Sequence, residues 1–181
     1  MTSTMRFDKW QNSLGIPYNS IIQIITAEKT DAFASSVGAV WGDISGLSVT
    51  ITPKFSNSKI LILADIKASG SQDASVVRSK IVRGISGTFT DVGVGNASSN
   101  RPRVLGQFYI SSGGVGIYYM AQVGGTIIDT PNTLLPVTYK AQVGGDGNGS
   151  IVRINATQGE RDTAYYDGRG YSSLTVIEIA Q

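Results

Sequence analysis

The chain has 181 residues, 41% of them apolar and only 15% charged, with 22 glycines and a formal net charge of +2. That charged fraction is well below the roughly 25% of an average soluble protein, and the near-balance of signs gives no electrostatic basis for nucleic acid or membrane as the main partner. There is no cysteine and no histidine, which removes disulfides, thiolate metal sites, the commonest general base and any Ser-His-Asp triad.

Residues 1–19 differ in pattern from the rest of the chain and read as an extended arm ahead of one domain over 20–181. The opening "MTSTMRFDKWQNSLG" lacks the apolar core of a signal peptide, and no run approaches 18 consecutive apolar residues, so a transmembrane helix is not expected. Within the arm, Leu14–Gly15 marks a turn and Pro17 starts an extended segment. Phe7 and Trp10 either pack on their own domain or dock on a neighbouring chain, because a lone Trp near a terminus is costly to leave in water.

Period-2 alternation then recurs along the chain. "SIIQIIT" is apolar on both faces through Ile21, Ile22, Ile24 and Ile25. "TAEKTDAFASS" reads as a loop or an edge strand. In "LSVTIT", Leu47, Val49 and Ile51 oppose Ser48, Thr50 and Thr52. "SKILILADIKA" is again two-faced, with Ile60, Ile62 and Ile66 opposite Leu61 and Leu63. Further strands are expected over 76–85, 103–110 and 115–123. "VTYKAQV" sets Val137, Tyr139, Ala141 and Val143 against Thr138, Lys140 and Gln142, and "SIVRIN" sets Val152 and Ile154 against Arg153 and Asn155. The closing run places Leu174 and Val176 on one side, Ile177 and Ile179 on the other.

Alternating strands cover a core on one face and meet water on the other; two-faced strands need cover on both. Turn signals separate them: "TPKFSNS", "ASGSQD", "GVGNASSNRP", "SSGG", "VGGT", "DTPN" and "GGDGNGS". Roughly eight to ten strands with such punctuation indicate an all-β antiparallel sandwich or jelly roll.

No motif carries clear chemistry. "GVGNAS" lacks the third glycine and the following helix of a dinucleotide loop. "GGDGNG" spaces Asp146 and Asn148 as a calcium loop does, but lacks the closing glutamate and reads as a hairpin turn. The N-x-[ST] triplets at Asn96, Asn148 and Asn155 read as turn chemistry. "GERDTAYYDGRGYSS" gathers Glu160, Asp162, Asp167, Arg169 and three tyrosines. Its carboxylates admit a glycan-cleaving cleft in principle, and its rings suit carbohydrate or protein recognition; a packed loop ahead of the last strand is the plainer reading. Catalytic, cofactor and metal residues are therefore expected to be none, and the protein is not expected to be an enzyme.

The order "DKWQNSLGIPYNSIIQIITAEKTDAF", "GLSVTITPKFSNSKILILADI", "LLPVTYKAQVGG" and "DTAYYDGRGYSSLTVIEIAQ" resembles virion structural proteins of bacteriophages of marine bacteria and cyanobacteria, often described as tail-fibre proteins. The likeness runs from about residue 7 to Gln181, with 70–130 matching only in strand-and-turn rhythm. It implies a C1q/TNF-like β-sandwich assembled as a homotrimer, with the last strand central in a sheet near the subunit contact. In that picture Phe7 and Trp10 dock the arm on tail or baseplate proteins. Tyr165, Tyr166, Arg169 and Tyr171 then face the host surface, a glycan or a protein. A capsid decoration protein, cementing the phage head as a trimer, is the alternative use of the same fold, and both place the chain in the virion.

Overall fold

The computed structural model describes residues 21–36, 40–70, 75–110, 118–147, 151–159 and 164–180; the arm, with Phe7 and Trp10, lies outside them. Among the described residues thirteen strands occur in order: β1 Ile21–Lys29, β2 Phe33–Ser35, β3 Gly42–Ile51, β4 Lys59–Asp65, β5 Lys67–Gly70, β6 Val76–Ile85, β7 Thr88–Val92, β8 Gly106–Tyr109, β9 Ala121–Gln122, β10 Gly125–Asp129, β11 Val137–Gly144, β12 Val152–Ile154 and β13 Ser172–Ile179. Every pairing between them is antiparallel.

One layer has the order β3-β11-β6, with β7 and β8 sharing the far edge of β6. The other consists of two four-stranded pieces, β1-β13-β4-β10 and β2-β12-β5-β9. These pieces are one sheet with a break. Only Ile66 separates β4 from β5, and backbone bonds cross the gap from Val123 N to Ile66 O (2.9 Å) and from Asn155 N to Lys67 O (2.9 Å). With the pieces joined, β1-β13-β4-β10 faces β3-β11-β6-β8, which is the jelly-roll order. The all-β sandwich expected from alternation is thus the observed fold, and the closing strand does run through the middle of a sheet, between β1 and β4.

The core forms where the inward parities of both layers meet. Leu47, Val49, Ile51, Val137, Tyr139, Ala141 and Ile81 come from one layer, and Ile60, Ile62, Leu174 and Val176 from the other. At one edge the layers are also tied by polar groups. Arg83 Nη1 lies 2.8 Å from Asp129 Oδ1, and Tyr139 Oη donates to Asp129 Oδ2 at 2.7 Å. Burial, then the neighbouring Asp129 charge, pushes the Tyr139 hydroxyl far above the ordinary tyrosine range.

Four details depart from the sequence expectation. "VGGT" is no turn: Gly125 opens β10, and a side chain on Gly124 would overlap the Ala64 carbonyl. β7 is a short flap with exposed side chains and no apolar face to announce it. Of 115–123, only Ala121–Gln122 is strand among the described residues. Asn155 does not continue the polar face of β12; it is fully buried with φ of 59°.

Candidate functional site

Two surfaces stand out, and the jelly roll builds both. The first is the outer face of β1-β13-β4-β10. Register sets Ile24 beside Ile177, Ile177 beside Leu61 and Leu61 beside Ile128, so one apolar row crosses all four strands. The next row reads Thr26, Thr175, Leu63, Thr126, and on the other side Ile21 pairs with Ile179. Ile128 is 63% exposed, Ile21 62%, Ile24 57% and Leu63 38%. Among the described residues, the two-faced strands of the sequence are therefore covered on one side only.

A buried carboxylate shapes this face from beneath. Glu178 has no exposed surface, sharing the inward parity of Leu174 and Val176. It accepts from Lys54 N (2.6 Å), Phe55 N (3.3 Å), Ser58 Oγ (2.7 Å) and Gln23 Nε2 (2.6 Å). Burial raises its pKa, but these four donors outweigh burial and hold it below the ordinary glutamate value. Gln23 turns inward to reach it, β1 bulges between Ile21 and Gln23, and Ile21 and Ile24 face outward on either side. Parity alone was the sequence signal for an inward Glu178.

The second surface is the tyrosine-bearing loop between β12 and β13. Both strands run antiparallel to the line of β4 and β5, so the loop is an excursion from one interrupted strand position. Its base is stitched by two buried side chains. Asn155 Nδ2 donates to the Lys29 carbonyl at 2.7 Å, and Asn155 Oδ1 accepts from Ser172 Oγ at 2.6 Å. Ser172 Oγ in turn accepts from Lys67 N at 2.9 Å, and Gly170 N closes on Asn155 O at 3.0 Å. Asparagine tolerates the left-handed backbone needed where the chain leaves the sheet. The triplet at Asn155 is thus spent on this junction.

Of the residues singled out in the sequence, Tyr165 is 90% exposed, and Tyr166, Arg169 and Tyr171 are also exposed. Tyr165 and Tyr166 lie together, ring centroids 6.4 Å apart. Tyr171 donates to Glu28 Oε1 at 2.8 Å; that bond, then partial burial, raises its pKa. Asp167 Oδ1 accepts from Thr157 Oγ1 at 2.8 Å, a turn-supporting contact, while Glu160 and Asp162 lie outside the described residues. Tyr118, which no sequence motif marks, brings its ring to 4.6 Å from Tyr166, and Tyr119 meets Phe108 edge-on at 5.6 Å. Asp146 Oδ2 accepts from Val76 N at 3.3 Å. Among the described residues no group of three or more acidic side chains is placed to hold a metal ion.

No protein-family model and no curated protein sequence matches this chain. Solved structures similar to it include that of the infectious bursal disease virus Gx strain (14% identity, TM-score 0.43, covering 97% of this chain and 44% of that one). An infectious bursal disease virus particle (12%, TM-score 0.46, 97% and 43%) and the VP2 subviral particle of that virus (11%, TM-score 0.43, 97% and 44%) are likewise similar. The chain spans less than half the length of each.

Proposed function

We propose that this chain is a non-enzymatic structural protein of a bacteriophage virion, a homotrimer serving as a small tail fibre or adhesin. Its arm, through Phe7 and Trp10, docks on tail or baseplate proteins, and the tyrosine loop is turned to the host surface. The order of the sequence motifs supports the virion reading, and the absence of histidine and cysteine agrees with a role without chemistry.

The observation that carries assembly is the bare apolar row on the outer face of β1-β13-β4-β10. On strands about 4.8 Å apart, the four-residue row with Leu63, Ile21 and Ile179 beside it makes an apolar patch on the order of 200 Å². That is below both the roughly 300–600 Å² of the largest patch on a typical monomer and the about 800 Å² per partner of a standard interface. The row therefore forms the apolar centre of a contact whose rim comes from strand edges and loops. A trimer, in which each copy meets two neighbours, supplies such a rim twice over.

Immunogold labelling of intact particles tests the virion role. Label on tails is the expected result, label on heads transfers the protein to the decoration role, and unlabelled particles overturn both. Size-exclusion with light scattering should return three chain masses, and a folded monomer at micromolar concentration refutes the assembly.

A further inference from the structure

The rings near the loop come from three separate parts of the chain. Tyr166 lies against Tyr118 and beside Tyr165, while Phe108 of β8 supports Tyr119. Polar side chains lie on the strands beside Met120, the residue that follows Tyr118 and Tyr119. Lys67 Nζ pairs with Asp65 and reaches Gln122 Oε1 at 3.4 Å, and Tyr171 is bonded to Glu28. The shelf of rings and these strands meet at Gly170, where a Cβ would stand 3.0 Å from Lys67 Cβ and 3.1 Å from Met120 Sδ. A side chain at 170 would press on both, so glycine suits this close approach.

We propose that this shelf is a saccharide-binding site for neutral sugar units, an inference that rests on the adhesin reading above and names its ligand class. An exposed tyrosine offers an apolar face to the C–H face of a pyranose and a hydroxyl to its oxygens. Planar carboxylate and amide groups at the edge accept and donate to vicinal hydroxyls. Here those groups are already ordered by bonds to Lys67 and Tyr171.

The chemistry disfavours other occupants. Stacking rings also hold single-stranded nucleic acid, but such grooves are strongly basic, whereas Asp65 and Glu28 balance Lys67 and Arg169 here. A protein hot spot lies in a well-packed, desolvated pocket, whereas Tyr165 stands 90% and Tyr166 55% exposed. Each shallow site binds weakly, and copies on one particle add avidity.

The test uses the full chain on a surface panel of neutral bacterial polysaccharides, acidic polysaccharides, single-stranded DNA and an unfolded protein. The intact protein should be retained by at least one neutral polysaccharide. Tyr118→Ala and Tyr166→Ala should each weaken that retention about tenfold, and Phe89→Ala, on the opposite sheet, should leave it unchanged. Light scattering and thermal unfolding establish that each variant keeps the parent's mass and fold. Where one fails to fold, Tyr165→Ala, at the most exposed ring, takes its place. Absence of retention on every neutral sugar overturns the proposal, as does retention indifferent to the tyrosines. Tyrosine-dependent retention confined to DNA, acidic polymer or protein does so too. None of these results bears on particle labelling, so the virion reading stands or falls separately.

Discussion

The two outer faces of the sandwich are built from the same kind of strand and finished in opposite ways. On β3-β11-β6-β7 lysines lie over aromatic rings: Lys80 Nζ sits 4.7 Å from the Trp41 ring centre and Lys140 Nζ 4.6 Å from that of Phe89, which stays 45% exposed. The same lysines pair with Asp91 and Asp43, each at 2.8 Å. On β1-β13-β4-β10 the Thr26 to Thr175 side-chain bond at 2.9 Å borders isoleucines that the described residues leave without cover. A face dressed in long charged side chains is solvated at little cost, and a bare one gains by meeting another surface. Jelly-roll topology is common to both faces, so the difference lies in outward parity alone.

The largest expected effect comes from charging the bare face. Ile177 occupies its middle, between Ile24 and Leu61. Ile177→Lys should convert the proposed trimer to monomer at micromolar concentration, read by light scattering, with the thermal midpoint of the isolated fold nearly unchanged. Burying an unpaired ammonium at the contact costs several kcal/mol, whereas in the monomer it projects into water. A trimer that survives Ile177→Lys means that this face is not the contact.

A second substitution probes the carboxylate beneath that face. Glu178→Gln keeps the shape but exchanges an acceptor oxygen for an N–H that faces donors, costing about 2–4 kcal/mol in denaturant unfolding. The carboxyl is held below the ordinary value of 4.5, so the unfolded chain binds the proton more readily. The stability it contributes is complete above about pH 4.5 and declines as pH falls through the lower folded-state pKa. The wild type should therefore lose stability in that acid window, and Glu178→Gln should flatten the decline. An unchanged acid profile would mean that other carboxylates govern it. Because Gln23, at the bulge of β1, bonds this group, association should weaken alongside stability.

How much of the molecule is legible in its sequence depends on how local each feature is. Alternation reports a strand's own two faces, so the core parities of Leu47–Ile51 and Val137–Val143, and the double faces of Ile60–Leu63 and Leu174–Ile179, read directly. Glu178 has the right parity but no local pattern marks it, because its donors at Gln23, Lys54 and Ser58 lie 120 or more positions away in sequence. Glycine at 124 and 125 serves close packing on Ala64 and Leu105 and not a turn, and composition cannot separate those uses. The tyrosine shelf is half visible: Tyr165 and Tyr166 stand in one stretch of sequence, while Tyr118 joins them only through the fold. That β12 and β13 fill one strand position, stitched by Asn155 and Ser172, belongs to pairing and not to pattern.

The smallest expected effect lies on the charged face, and it bounds the comparison from the other side. Partial burial raises the Asp43 pKa, but bonds from Lys140 (2.8 Å) and Gln142 (2.6 Å) outweigh it and hold the carboxyl below its usual range. Its contribution is thus present above about pH 4 and fades as pH falls further. Exposed pairs of this kind are worth at most about 1 kcal/mol. Asp43→Asn should cost that or less, with a smaller cost still at high salt. Lys140→Ala, which also uncovers Phe89, should behave alike in stability and leave the solution mass at three chains. If uncovering Phe89 instead drove further association, cationic cover would be what keeps this face from pairing. The bare row opposite would then owe its role to missing lysines and not to any special shape.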